Sequence, residues 1–80
     1  MSTTEIYREL ETIFRDVFDD ESIRVHPELS AADLEEWDSF MHINLLVASE
    51  QRFGIKFNAV EIDRLRNVGD FAELIRAKLG

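Results

Sequence analysis

Residues 38–54 read DSFMHINLLVASEQRFG, and this stretch decides the fold. Asp38 is a favourable N-cap residue, and Gly54 stands where helices commonly end in the left-handed conformation. We therefore predict a helix from Ser39 to Phe53. At about 100° per residue, the apolar side chains fall on two arcs. The first arc holds Leu45, Leu46, Ser49 and Phe53, with Met41 and Ala48 at its edge, and the second, nearly opposite, holds Phe40, Ile43 and Val47.

Two apolar arcs are one more than a helix in a small bundle needs, because such a helix buries a single face. One interpretation is a central helix that is buried almost all round. The other is an exposed apolar patch, which on a small protein commonly marks a partner surface. The polar residues Asn44, Glu50 and Gln51 flank the second arc and favour the exposed patch.

Three further helices are predicted around this one. The first runs from about Thr4 to Phe18, with a capping box over residues 2–5. Its apolar residues recur at the spacing of one helix face. That face consists of Ile6, Leu10, Ile13, Phe14, Val17 and Phe18. Capping patterns at Asn58 and Asn67 then open a short helix and a last helix. Their apolar residues are Val60, Ile62 and Leu65 in the short helix, and Phe71, Leu74, Ile75 and Leu79 in the last.

Residues 19–37 show no sustained period and contain Pro27, which lacks a backbone donor. We predict a long loop here, with residues 30–33 capping one turn of helix. Apolar residues spaced through the loop are expected to fasten it to the core: Ile23, Val25, Leu29, Leu34 and Trp37. The predicted fold class is all-α. It is a small four-helix bundle of three longer helices and one short one, with a long loop between helices 1 and 2, and a single domain over residues 1–80.

The net charge is −8, with seventeen acidic and nine basic residues, which argues against nucleic-acid binding. The chain has no cysteine, and hence no disulfide, thiolate metal site or cysteine nucleophile. No apolar run approaches membrane-spanning length, and the first residues do not resemble a signal peptide. We therefore expect a cytoplasmic protein without a membrane span.

Ser39 has two interpretations. A serine in a first helical turn is commonly a local hydrogen-bonding residue. A phosphate ester on its hydroxyl, however, would meet the free amides and the positive dipole end of the helix. The neighbouring acids Glu35, Glu36 and Asp38 would attract a basic enzyme surface to an unmodified Ser39.

Several motifs together resemble the acyl carrier protein family. An Asp38-Ser39 dipeptide opens an apolar helix after a long loop, and a Glu-x-x-Phe-Gly turn follows over residues 50–54. Ile55-x-Phe57, a short helix and the closing segment over residues 67–71 come next. The resemblance extends from about Ile6 to Leu79.

The resemblance implies a carrier without catalysis of its own. Ser39 would carry 4′-phosphopantetheine, which a phosphopantetheinyl transferase attaches from coenzyme A with magnesium, and the arm's thiol would hold the cargo as a thioester. Asp38 would help the transferase recognise the site. Partner enzymes would dock on Glu36, Phe40, Ile43, Val47 and Glu50. Those partners would be an acyl- or aminoacyl-loading enzyme and an acyl-using transferase or synthase, acting on a monomeric carrier.

The chain departs from the family pattern in three places. Asp-Ser-Phe replaces the usual Asp-Ser-Leu, and the second helix, which is commonly rich in acids in fatty-acid carriers, keeps Glu50 as its one acid. Glu36-Trp37 also stands where peptidyl carriers commonly have Gly-Gly. The chain is thus similar to specialised carriers of lipid, polyketide or surface-polysaccharide pathways, with an aminoacyl or peptidyl carrier as the alternative. Five phenylalanines that could fill the core favour short or polar cargo: Phe14, Phe18, Phe53, Phe57 and Phe71.

Other chemistry fits the sequence less well. Ser39 and His42 superficially suggest a hydrolase, but the pattern supplies neither an orienting partner for the histidine nor an oxyanion hole. His26, His42 and the carboxylates lack the ligand spacing of a metal site. We expect no catalytic residue and no metal, with His42 a helix-surface or boundary residue that packs near Ser39. The remaining alternative is an unmodified helical protein-interaction module.

Overall fold

The computed structural model describes residues 2–80, and this part of the chain forms four helices and no strand. They are α1 (Thr3–Phe18), α2 (Ser39–Phe53), α3 (Ala59–Asp63) and α4 (Val68–Leu79). The predicted all-α class, with three longer helices and one short one, is confirmed. α1 begins one residue earlier than predicted, and α3 ends before Leu65.

The predicted capping residues set the ends of the helices. At the start of α1 the Ser2 amide donates to the Glu5 carboxylate at 3.0 Å, and the Glu5 amide donates to the Ser2 hydroxyl at 3.2 Å. Asn58 and Glu61 form the same reciprocal pair at the start of α3. α2 ends at Gly54 with φ 67°, a left-handed conformation that glycine adopts without steric cost.

The core lies where α1 packs against α2 and α4. The first arc of α2 is buried as predicted: Leu45, Leu46, Ser49 and Phe53. Ser49 satisfies its hydroxyl within the helix, because its Oγ donates to the Leu45 carbonyl at 2.7 Å. The second arc is exposed, with Phe40 at 70% and Ile43 at 58% of full accessibility. These values decide for the exposed apolar patch over a helix that is buried all round.

The long loop is fastened to α1 by side chains. Ile23, Leu29 and Trp37 are buried, as the sequence predicts, while Val25 and Leu34 are partly buried. The Arg15 guanidinium donates to the Ile23 carbonyl at 2.9 Å, and the Val25 amide donates to the Glu11 carboxylate at 3.0 Å. Each bond satisfies a backbone group that the irregular loop would otherwise leave to solvent.

The loop is fastened to α4 through backbone groups. The Val68 amide donates to the Leu29 carbonyl at 2.8 Å, and the Gly69 amide donates to the Pro27 carbonyl at 2.9 Å. A Cβ atom at Gly69 would lie 3.0 Å from that carbonyl oxygen, so glycine permits the approach. These bonds use the amides of the first turn of α4, which have no partner within the helix.

The turn of helix predicted at residues 30–33 is wrong. These residues form a single hydrogen-bonded turn, in which the Asp33 amide donates to the Ser30 carbonyl at 2.9 Å. The Asp33 carboxylate turns back to accept from the Ser30 amide at 3.1 Å. The segment therefore has the cap chemistry of a helix start without enough residues after it to propagate a helix.

Candidate functional site

The candidate site lies at the N-terminus of α2. Asp38 is the N-cap, and its carboxylate accepts from the Met41 amide at 2.9 Å. Ser39 follows as the first helical residue, and its side chain is exposed. The amides of this first turn have no carbonyl partner within α2, and the dipole places partial positive charge there. The position therefore suits an anion attached to the Ser39 hydroxyl.

Trp37 and His42 form a pair beside Ser39. The Trp37 indole N–H donates to His42 Nδ1 at 3.1 Å, and the two rings stack with centroids 6.1 Å apart. On its other side, Trp37 meets the ring of Phe14 edge to face at 5.2 Å. Burial lowers the pKa of His42 below 6.5. The pair thus connects the core to the surface around Ser39.

Sequence analysis predicted His42 as a helix-surface or boundary residue near Ser39 and Trp37 as a loop residue that reaches the core, and the structure agrees with both. The sequence analysis did not identify the hydrogen bond between Trp37 and His42. Trp37 precedes the N-cap, so helical spacing says nothing about which side chain of α2 it meets.

A groove of about 460 Å³ opens next to the serine. Its walls include Trp37, Ser39, His42 and Ile43, together with Leu65 and Arg66 from the segment between α3 and α4. Arg66 lies 27 positions beyond Ser39 in the sequence, with no motif to associate them. The sequence analysis therefore did not identify Arg66 as part of the site.

The predicted docking residues are not all alike in the structure. Phe40, Ile43 and Val47 are exposed along one side of α2, and Glu36 is exposed in the loop before it. Glu50 is half-buried, and its carboxylate accepts from the Phe57 amide at 2.8 Å. That bond fastens the segment after α2, so Glu50 has a structural task whether or not a partner contacts it.

The geometry does not supply a hydrolase arrangement. His42 Nδ1 is bonded to an indole, whereas a catalytic base needs a carboxylate or carbonyl there to orient it. Within residues 2–80, no group of three or more His, Cys, Asp or Glu side chains is placed to hold a metal ion. None of the helices in the described part is long and apolar enough to cross a membrane.

A family model described as the phosphopantetheine attachment site matches residues 8–75 of the chain. The chain is also 32% identical to an acyl carrier protein of Acidothermus cellulolyticus over 75 residues, covering 94% of this chain and 89% of the relative. The chain belongs to the acyl carrier protein family.

Further comparisons agree with this membership. An acyl carrier protein of Thermosynechococcus vestitus is 29% identical to this carrier over 79 residues, covering 99% of this chain and 98% of the relative. A solution NMR structure of holo acyl carrier protein from Geobacter metallireducens is similar in fold, with a TM-score of 0.89 and 47% identity. That match covers 92% of this chain and 85% of the other.

This acyl carrier protein therefore carries acyl groups on 4′-phosphopantetheine and works with partner enzymes. When bound, the prosthetic group supplies a terminal thiol for the cargo, which this cysteine-free chain does not itself contain. The residues present fit the group: the N-terminus of α2 offers an exposed hydroxyl, first-turn amides and an adjoining groove.

Proposed function

We propose that Ser39 is the attachment residue for 4′-phosphopantetheine, in a specialised carrier without catalysis of its own. The observation that carries this proposal is the exposed Ser39 side chain in the first turn of α2. A phosphodiester is stabilised there by the helix dipole and the free amides. Asp38, as the N-cap, keeps those amides in place by accepting from Met41.

The other four serines of the sequence are less suitable. Ser49 is fully buried, and its hydroxyl is bonded inside α2. The Ser2 hydroxyl caps α1, and that of Ser22 donates to Asp20 at 2.6 Å. Ser30 is half-buried in the turn of the long loop. Neither Ser22 nor Ser30 is at a helix N-terminus.

The attachment is a group transfer from coenzyme A, catalysed by a phosphopantetheinyl transferase with magnesium. Ser39 Oγ loses its proton and forms a bond to the phosphorus that bears the pantetheine. The P–O bond of the diphosphate breaks, and adenosine 3′,5′-bisphosphate leaves. An exposed hydroxyl lets the transferase reach the oxygen without unfolding α2.

The test is incubation of the folded protein with coenzyme A, magnesium and a transferase of broad specificity, followed by intact mass measurement and peptide mapping. We expect a gain of one phosphopantetheine on the peptide that contains Ser39. A folded sample that gains no mass would instead favour the unmodified helical interaction module.

Asp38 is proposed to have two roles, capping α2 and helping the transferase recognise Ser39, and two substitutions separate them. Asp38→Asn keeps an N-cap side chain but removes the charge, so we expect unchanged stability and slower loading by the transferase. Asp38→Ala also removes the cap and is expected to cost about 1 kcal/mol in the free energy of unfolding. Urea denaturation and loading rates check both. Equal loading by wild type and Asp38→Asn would exclude the recognition task.

We further propose that partners dock on the exposed arc of α2, formed by Phe40, Ile43 and Val47, with Glu36 and Glu50 at its margins. These partners are the transferase, an acyl- or aminoacyl-loading enzyme and an acyl-using transferase or synthase. The exposed apolar side chains and the scarcity of acids on α2 favour enzymes other than those of ordinary fatty-acid synthesis.

The pathways that suit such a carrier are specialised ones, for lipids, polyketides or surface polysaccharides, in the cytoplasm. The protein would act there as a monomeric single domain over residues 1–80. An aminoacyl or peptidyl carrier is the second candidate. Phe14, Phe53 and Phe71 occupy the core, which leaves little room for a long chain and favours short or polar cargo.

Ile43→Glu is expected to lower kcat/KM of the transferase about tenfold, because a charge would be desolvated in an apolar contact. Its melting temperature should stay close to that of the wild type, since Ile43 is already 58% exposed. Val60→Glu is the matched control, an equally exposed apolar residue on α3 rather than α2. If both variants lost activity equally, docking on α2 would be excluded.

A further inference from the structure

The groove beside Ser39 contains polar side chains to which neither the attachment of the arm nor partner docking assigns a role. His42 follows Ser39 by about one helical turn on α2, and both side chains line the groove. Arg66 joins them from the segment between α3 and α4. A group attached to Ser39 would therefore emerge beside an imidazole and a guanidinium.

Trp37 determines which nitrogen of His42 is available. An indole N–H can only donate, so His42 Nδ1 must accept, and the neutral imidazole then carries its proton on Nε2. Every buried side-chain nitrogen and oxygen in residues 2–80 has a hydrogen-bond partner. Trp37 is the bonding partner of the His42 ring within residues 2–80, and His42 is only partly buried, so its Nε2–H is open to a further acceptor.

The charges at the groove also suit an anion on Ser39. Asp38 is the one acid among the residues that line the groove, and its carboxylate is already engaged by the Met41 amide. Arg66 contributes the positive charge. Its side chain is 88% exposed and lies 3.9 Å from Asp70, a distance at which an exposed ion pair contributes little. The guanidinium is therefore free to turn toward a second anion.

We propose that His42 Nε2–H and the Arg66 guanidinium hold the phosphodiester of the prosthetic arm against this groove, with Trp37 as the positioning residue that fixes the His42 tautomer. The inference rests on the proposed attachment at Ser39. Its consequence is that the arm leaves α2 along the groove rather than from all sides of the helix end.

A purely structural role for the Trp37–His42 pair predicts something different. In that case the bond would only fasten the end of the long loop to α2, a phosphodiester on Ser39 would act on the His42 ring only through its charge, and substitutions of Arg66 and Arg64 would change the His42 titration equally. A phosphodiester within contact of the ring instead favours its protonated form. The charged groups that line the groove together with the His42 ring are Asp38 and Arg66, and of the lining residues only Ser39 changes its charge on loading.

The experiment is an NMR titration of the histidine rings before and after loading, with complete loading established by intact mass. We expect the pKa of His42 to rise by about half a pH unit in the holo protein, the effect of one charge about 5 Å away in a water-like medium. His26, in the loop beside Glu28, provides the reference ring in the same spectra. The phosphodiester ³¹P resonance should titrate with the same midpoint as His42.

Variants of Arg66, Arg64 and His42 test which side chains contact the phosphodiester. Arg66→Gln should reduce the rise at His42, whereas Arg64→Gln, the same charge change outside the groove lining, should not. His42→Gln keeps an acceptor for Trp37 and should abolish the ³¹P titration with the fold intact. Identical His42 titrations in apo and fully loaded protein would overturn the proposal, as would equal effects of the Arg64 and Arg66 variants. A sample that gains no mass would refute attachment at Ser39, and this inference with it.

Discussion

Ser39→Ala is expected to abolish the gain of phosphopantetheine completely while the protein stays folded. The Ser39 side chain is exposed, and the cap of α2 is the Asp38 carboxylate, so the substitution removes the nucleophilic oxygen but no structural bond. Alanine is also the better helix former, which favours an unchanged or slightly higher melting temperature. Intact mass after the transferase reaction measures the loss, and circular dichroism measures the fold.

Ser30→Ala is the control for that experiment. It removes a loop hydroxyl, and it should load like the wild type. A phosphopantetheine gained by Ser39→Ala would contradict the assignment and direct the search to the four other serines. Partner binding that survives in Ser39→Ala, together with no loading of the wild type, is the result that the interaction-module alternative predicts.

Phe14→Ala is expected to lower the free energy of unfolding by about 3–5 kcal/mol. Phe14 is completely buried, and its ring centroid lies 5.2 Å from that of Trp37 and 5.9 Å from that of Phe18. Alanine would leave a cavity between α1 and the end of the long loop. A chain of eighty residues has a total stability of about 4–12 kcal/mol, so this loss removes a large fraction of it. Urea denaturation gives the value directly.

Phe40→Ala is the matched control, because it deletes the same atoms from a side chain that is 70% exposed. Its stability should remain within about 0.5 kcal/mol of the wild type. Phe14→Leu keeps most of the buried volume and should fall between the two. Equal denaturation midpoints for Phe14→Ala and Phe40→Ala would show that the core does not depend on Phe14.

The helices could be predicted because their signals are local. The spacing of Leu45, Leu46, Ser49 and Phe53 marks the buried face of α2, and Asp38 and Gly54 mark its ends. Ser39 could be selected because a motif accompanied it. The same reasoning placed a turn of helix at residues 30–33, where capping side chains are present but the chain bends instead.

The contacts that complete the site could not be predicted because they join distant parts of the chain. The Gly69 amide at the start of α4 donates to the Pro27 carbonyl in the long loop, and Arg66 lines the groove from the segment after α3. The Trp37–His42 bond is close in sequence, yet it crosses from loop to helix, where no periodic rule applies. The bonds of Gly69 and Trp37 both depend on how the long loop folds back on α4 and α1.

The position of Trp37 gives the protein a built-in optical signal. It is the one tryptophan of the sequence, and it contacts the core through Phe14 and the surface through His42. Indole emission responds to the polarity and the contacts around the ring, and protonation of His42 at Nδ1 removes the acceptor of the indole N–H. Fluorescence from this single ring therefore follows both the unfolding of the bundle and the protonation of His42, without a label on the carrier or its cargo.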